Sequence, residues 1–132
     1  MDKVRMGLIG CGGNMGGHLR RLMDMNDVEI VALTDPNEAS FERLFTRVPE
    51  AQELPRFMDH KEMLDSVEMD AVEISTPHTL HFEQTMDSLD KGLHVLTEKP
   101  MVCSVEHAFE VMDKADDAGK ILMVSYQRHL AP

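Results

Sequence analysis

Apolar residues fall into short runs that alternate with longer segments in which they recur every third or fourth position. The runs Val4 to Ile9, Val28 to Leu33, Ala71 to Ile74, His94 to Leu96 and Ile121 to Val124 are β-branched or aliphatic and predict strands. A sixth strand is expected near Phe57, in a region that Pro49 and Pro55 break into irregular pieces, with a short helix at Lys61 to Val67 after it. Helical spacing appears in Leu19, Leu22 and Met23, in Phe41, Leu44, Phe45 and Val48, and in Phe82, Met86 and Leu89. The last of these lies in a helix from about Thr79 to Asp90 that Gly92 ends. Val105, Ala108, Phe109, Met112 and Ala115 make a further stripe between Ser104, a good N-cap, and Gly119, a good stop. Each stripe is expected to face the core, and the alternation of strand and helix predicts βαβ units around a parallel sheet.

Composition narrows the field. The chain has 132 residues, 42% apolar and 28% charged, which is the balance of a globular protein of one domain's length. Its net charge of −11 disfavours nucleic acid and anionic membrane surfaces, since both would repel it. No apolar run reaches the roughly 18 residues of a membrane-spanning helix. Two cysteines, Cys11 and Cys103, do not make a disulfide framework, and a cytoplasmic setting is expected. The 12 methionines are scattered through the stripes as core filling.

Six of the eight glycines lie between Gly7 and Gly17, after the first strand and at the start of the first helix. A dinucleotide pyrophosphate needs this arrangement. Gly10 allows the tight turn and Gly12 lets backbone approach the phosphates, while Gly13, Asn14 and Met15 open a helix whose free N–H groups face negative charge. The pattern G-x-G-x-x-G would put its third glycine at position 15; Met15 stands there and glycine follows at Gly16. Asp35 follows the second strand, about 20 residues further on, where a carboxylate accepts hydrogen bonds from ribose hydroxyls and repels a 2′-phosphate, so NAD is favoured over NADP. An Asp-Pro turn at Asp35-Pro36 is the plainer alternative.

Two polar segments follow later strands: Ser75-Thr76-Pro77-His78-Thr79-Leu80-His81 and Thr97-Glu98-Lys99-Pro100. Ligands of doubly wound sheets bind at this edge. Together with Gly-Cys-Gly-Gly and His18, Asp35-Pro36, Gly92-x-His-Val and Met123-Val-x-Tyr-Gln-Arg128, they make the chain resemble the Gfo/Idh/MocA oxidoreductases, the relatives of glucose-fructose oxidoreductase and inositol 2-dehydrogenase. The resemblance implies an α/β Rossmann-type doubly wound parallel sheet of about six strands in order 3-2-1-4-5-6, with helices on both faces, spanning 1–132. It implies that Thr76, Pro77 and His81 border NAD(P), that Glu98 lies near the nicotinamide ribose, and that Lys99 reaches both ribose and substrate as the catalytic residue. Lys99-Pro100 becomes a candidate cis peptide. An ammonium at Lys99 can bind the hydroxyl being oxidised; a surface ion pair with Glu98 is the alternative without the resemblance.

The same resemblance places the substrate pocket, for a sugar or polyol, in a second α/β domain absent from this chain. The expectation is therefore an NAD(H)-binding domain that does not turn over alone, with homo-oligomers forming through the missing domain. A non-catalytic dinucleotide sensor is the alternative. His78 and His81 form H-x-x-H, but no third ligand is evident and no metal site is expected. His18, His94, His107 and His129 read as ordinary helix, strand or surface residues.

Overall fold

The structure, a computed structural model, describes residues 2–130. Its elements follow in the order β1 (Val4–Ile9), α1 (Met15–Met23), β2 (Val28–Thr34), α2 (Glu38–Arg47), β3 (Arg56–Phe57), α3 (His60–Ser66), β4 (Ala71–Ile74), α4 (His81–Asp90), β5 (His94–Glu98), α5 (Val105–Ala118) and β6 (Leu122–Ser125). All six strands run parallel in one sheet of order β3-β2-β1-β4-β5-β6, as expected. Parallel neighbours need crossovers, and the helices supply them.

Because side chains alternate across a strand, Leu8 and Ile9 point to opposite faces and seed two cores. Leu8 joins Met15 and Leu19 of α1, Leu33, and Phe41, Leu44 and Phe45 of α2. Ile9 joins Met63 and Leu64 of α3, Val72, Ile74, Val95, Leu89 of α4 and Ala115 of α5. The stripe Phe41, Leu44, Phe45 and Val48 is buried throughout, as its spacing predicts.

Three stripes face differently from expectation. On α5, Val105, Phe109 and Met112 are exposed, and Val111 and Ala115 are the buried positions. The helix carries two apolar edges, and the edge holding Val111 and Ala115 is the one turned to the core. On α4 the fully buried face is largely polar, with His81, Gln84, Thr85 and Ser88 beside Leu89, while Phe82 and Met86 are half-buried. Phe82 instead stacks on His107 of α5 at 3.7 Å between ring centroids. Met23, at the end of α1, is exposed.

The caps explain where the helices start and which amides remain open. Asn37, Asp59 and Ser104 cap α2, α3 and α5 by accepting hydrogen bonds from Ala39, Lys61 and His107. Gly119 ends α5 with a left-handed φ of 63°. Asn14, at the start of α1, makes no such side-chain bond.

Candidate functional site

The C-terminal ends of β1, β2, β4 and β5 meet around the glycine loop. Gly10 takes φ 93°, and a Cβ there would lie 2.6 Å from the Ser75 carbonyl oxygen, so β1 can turn beside β4 only with glycine. Its N–H donates to the Thr34 carbonyl at 2.8 Å. Gly12 and Gly13 are exposed, and among the described residues no atom beyond the adjoining ones in the chain lies within 4 Å of a Cβ built on either. Among the described residues, no acceptor is paired with the amides of Gly12, Gly13 and Asn14. The open space and free N–H groups fit an anionic diphosphate.

Met15 is fully buried in the core beneath the loop, so the missing third glycine leaves no gap. The glycine that follows has its own reason. A Cβ on Gly16 would come 2.9 Å from the Arg47 guanidinium, which reaches across from α2 and donates from Nη1 to the Gly13 carbonyl at 2.7 Å. Sequence spacing alone did not expose Arg47, because its contact depends on the α1–α2 packing.

Asp35 is buried at 8% exposure and uses both oxygens. Oδ2 accepts from the Cys11 amide and Oδ1 from the Asn37 amide, each at 2.8 Å. The turn at Asp35-Pro36 and a place beside the glycine loop therefore hold together. Burial, and then the nearby Asp35 charge, push the Cys11 thiol up to about 12, against a hydrogen bond to the Thr34 carbonyl. It is a packing residue rather than a nucleophile.

A cleft of about 500 Å³ is lined by Gly10, Gly12, Asp35, Asn37, Thr76 and Pro77, among others. Thr76 donates to Gln84 at 2.5 Å. His81, in contrast, is fully buried behind this cleft, with Nδ1 2.8 Å from the Pro100 carbonyl oxygen and Nε2 3.0 Å from that of Thr76. It ties the β4 loop to the β5 loop. The His78 and His81 rings meet edge-on at 5.7 Å, and among the described residues no group of three or more His, Cys, Asp or Glu is arranged to hold a metal ion.

A second, polar cavity of about 370 Å³ lies on the other side of the loop, lined by Gly13, Asn14, His18, Glu98, Lys99 and Arg128, among others. Glu98 is buried, Lys99 is exposed, and the Lys99-Pro100 peptide is cis, as expected. The Lys99 backbone N–H donates to Glu98 Oε2 at 3.1 Å, and no ion pair joins the Lys99 ammonium to Glu98 among the described residues. His18 is not an ordinary helix residue. Its Nδ1 is hydrogen-bonded to Glu73 on β4, and its Nε2 lies 3.3 Å from Glu98 Oε1. The imidazole holds its proton above the ordinary value near 6.5, chiefly through the bond to Glu73, then through the charges of both glutamates, against partial burial and the nearby Arg21.

Two cavities flanking an uncapped helix N-terminus at the carboxyl edge of a doubly wound sheet define a Rossmann-type dinucleotide-binding domain. Comparison with known proteins agrees. Residues 4–126 match the Gfo/Idh/MocA model, described as an oxidoreductase family with an NAD-binding Rossmann fold, and the chain belongs to that family. A glycosyl hydrolase family 109 protein of Shewanella pealeana is 31% identical over 130 residues, covering 94% of this chain and 28% of the relative. The WlbA dehydrogenase of Bordetella pertussis, solved with NADH and UDP-GlcNAcA, is 28% identical with a TM-score of 0.88, covering 98% of this chain and 36% of that one. A dehydrogenase of Chromobacterium violaceum is also 28% identical, with a TM-score of 0.89 over 99% of this chain and 38% of that one. The chain thus spans little more than a third of these structures and less of the curated relative.

Proposed function

We propose that the chain binds NAD(H) along the carboxyl edge of the sheet, with the adenosine half in the Asp35 cleft, the diphosphate over Gly12, Gly13 and Asn14, and the nicotinamide riboside in the Glu98–Lys99 cavity. The observation that carries this reading is the pair of cavities meeting at the start of α1, where the amides of Gly12, Gly13 and Asn14 are unpaired among the described residues. Asp35 would accept hydrogen bonds from the adenosine ribose and repel a 2′-phosphate, favouring NAD over NADP. Thr76 and Pro77 would border the cofactor, with His81 holding their loop from behind and Met15 supporting the glycine loop from below.

Bound NAD supplies a hydride acceptor. The chain's own part is to orient it and, through the exposed Lys99 ammonium, to hydrogen-bond a substrate hydroxyl and stabilise negative charge developing there. A sugar, polyol or related hydroxyl compound is the proposed substrate of the whole protein. Because these 132 residues span only 36% of the WlbA chain, they are proposed to bind cofactor without turnover on their own. The test is calorimetric titration of the chain with NADH and NADPH, repeated on Asp35→Ala. Preferential NADH binding that the substitution abolishes supports the site; no binding of either overturns it.

The similarity to a glycosyl hydrolase family 109 protein favours a second reading of the whole protein's reaction, glycoside cleavage with the dinucleotide retained. Stoichiometric NADH release from a polyol marks a dehydrogenase. Sugar release with no net NADH marks the glycosidase.

A further inference from the structure

Glu73 is a charged residue in the middle of the sheet, 2% exposed on β4 between Leu8 of β1 and Leu96 of β5. A buried carboxylate persists where a partner satisfies it. Here the partner is His18 Nδ1, on α1. The opposite edge of the same ring faces Glu98, whose other oxygen accepts from the Lys99 amide. Glu73, His18 and Glu98 therefore form a line from the sheet interior to the wall of the polar cavity.

We infer that His18, anchored on Glu73, is a positioning residue that fixes the Glu98 carboxylate at the nicotinamide end of the cofactor site. This rests on the cofactor placement proposed above. Both neighbours of the ring are carboxylates, which accept hydrogen bonds and carry negative charge, so the arrangement is complete only when both ring nitrogens bear protons. A neutral ring keeps its proton on Nδ1 toward Glu73 and turns a lone pair toward Glu98, which then loses its hold. The other charged groups around the ring are Arg21 on α1 and, on the walls of the same cavity, Lys99, Arg47 and Arg128. None of these cations can anchor His18, because an imidazolium repels them.

The proton's removal gives a direction. The bond to Glu73 raises the pKa of His18 above the ordinary 6.5, so the clamp is intact on the acid side of that value and opens as pH rises through the raised one. NADH affinity should fall over the same interval, and Glu73→Gln should move the fall to lower pH by weakening the anchor.

The test is calorimetry on the full chain with NADH and with ADP, which fills the adenosine and diphosphate positions but does not reach Glu98. At pH 6, His18→Gln is expected to weaken NADH about tenfold, the worth of one charge-assisted contact, and to leave ADP within about twofold. The wild-type chain should lose a similar factor in NADH affinity at alkaline pH, and His18→Gln should show no such pH dependence. Glu98→Gln, which keeps the shape of the side chain, should reproduce the His18→Gln loss without adding to it in the double variant. Unchanged NADH affinity in His18→Gln overturns the inference. So does an equal loss of ADP and NADH, which marks a merely structural residue. Failure of the wild-type chain to bind either ligand overturns the cofactor placement itself, and the inference with it.

Discussion

A methyl group placed on Gly10 would stand 2.6 Å from the carbonyl oxygen of Ser75, so the turn after β1 and the end of β4 approach each other closely enough to exclude every side chain. With the φ of 93° this combines a clash against backbone and an unfavourable dihedral. Gly10→Ala is expected to lower the unfolding free energy by about 3 kcal/mol, read by urea denaturation. Gly12, two residues on, has open space around it. Gly12→Ala should keep stability within about 0.5 kcal/mol while reducing NADH affinity at least about tenfold, because the added methyl takes room the diphosphate needs. Full NADH affinity in Gly12→Ala would put the diphosphate elsewhere.

Asp35 predicts cofactor preference. Replacing it by Asn removes the charge proposed to repel a 2′-phosphate while keeping an acceptor oxygen of similar reach. The ratio of NADPH to NADH dissociation constants should fall by about tenfold or more, in keeping with one charged contact at ~1.5–3 kcal/mol. A ratio that does not move would show that the carboxylate serves the turn alone.

The two cysteines should differ in reactivity. Cys103 is exposed and Cys11 is buried, with its thiol raised from 9.0 to about 12. A thiol-specific chromogenic reagent at pH 8 is expected to label one thiol in the native chain and the second only in denaturant. The sign of the pH effect follows from the same shift: with the folded value raised, the contribution of Cys11 to stability is intact below pH 9 and lost as pH climbs toward 12.

Thr85 on α4 is fully buried, and its hydroxyl oxygen has no hydrogen-bond partner among the described residues. Thr85→Val replaces that hydroxyl with a methyl of nearly the same size. It should stabilise the chain by about 1 kcal/mol, seen as a higher urea midpoint at unchanged slope. A loss of stability would reveal a partner for the hydroxyl.

What could be read from the sequence was what is local or ordered along the chain. Gly10, Asp35 and Thr76 follow strands and Glu98 ends one, and the parallel order of those strands brings their ends to one edge, where the structure finds them. The cis peptide at Lys99-Pro100 belongs with these, since it needs only the motif. The orientation of α5 was not legible, because Val105, Phe109 and Met112 repeat with the same helical spacing as a true core stripe and only packing selects between the two edges. His18 escaped for a different reason. Its partners Glu73 and Glu98 lie on two strands distant in sequence, β4 and β5, and nothing in the neighbourhood of residue 18 signals two carboxylates waiting beside α1. Arg47 is hidden in the same way, by a contact made between helices.

The two hydrogen bonds to Asp35 bear on any attempt to redesign the chain. One oxygen holds the amide of Cys11, at the root of the glycine loop, and the other holds the turn that leads into α2. The group proposed to select the ribose is therefore also the hinge pin of the loop that would cradle the diphosphate. On that proposal selectivity and loop order are a single inherited trait at this position, and a variant retuned for a phosphorylated ribose would have to supply a new acceptor for Cys11 before its gain in charge complementarity could be realised.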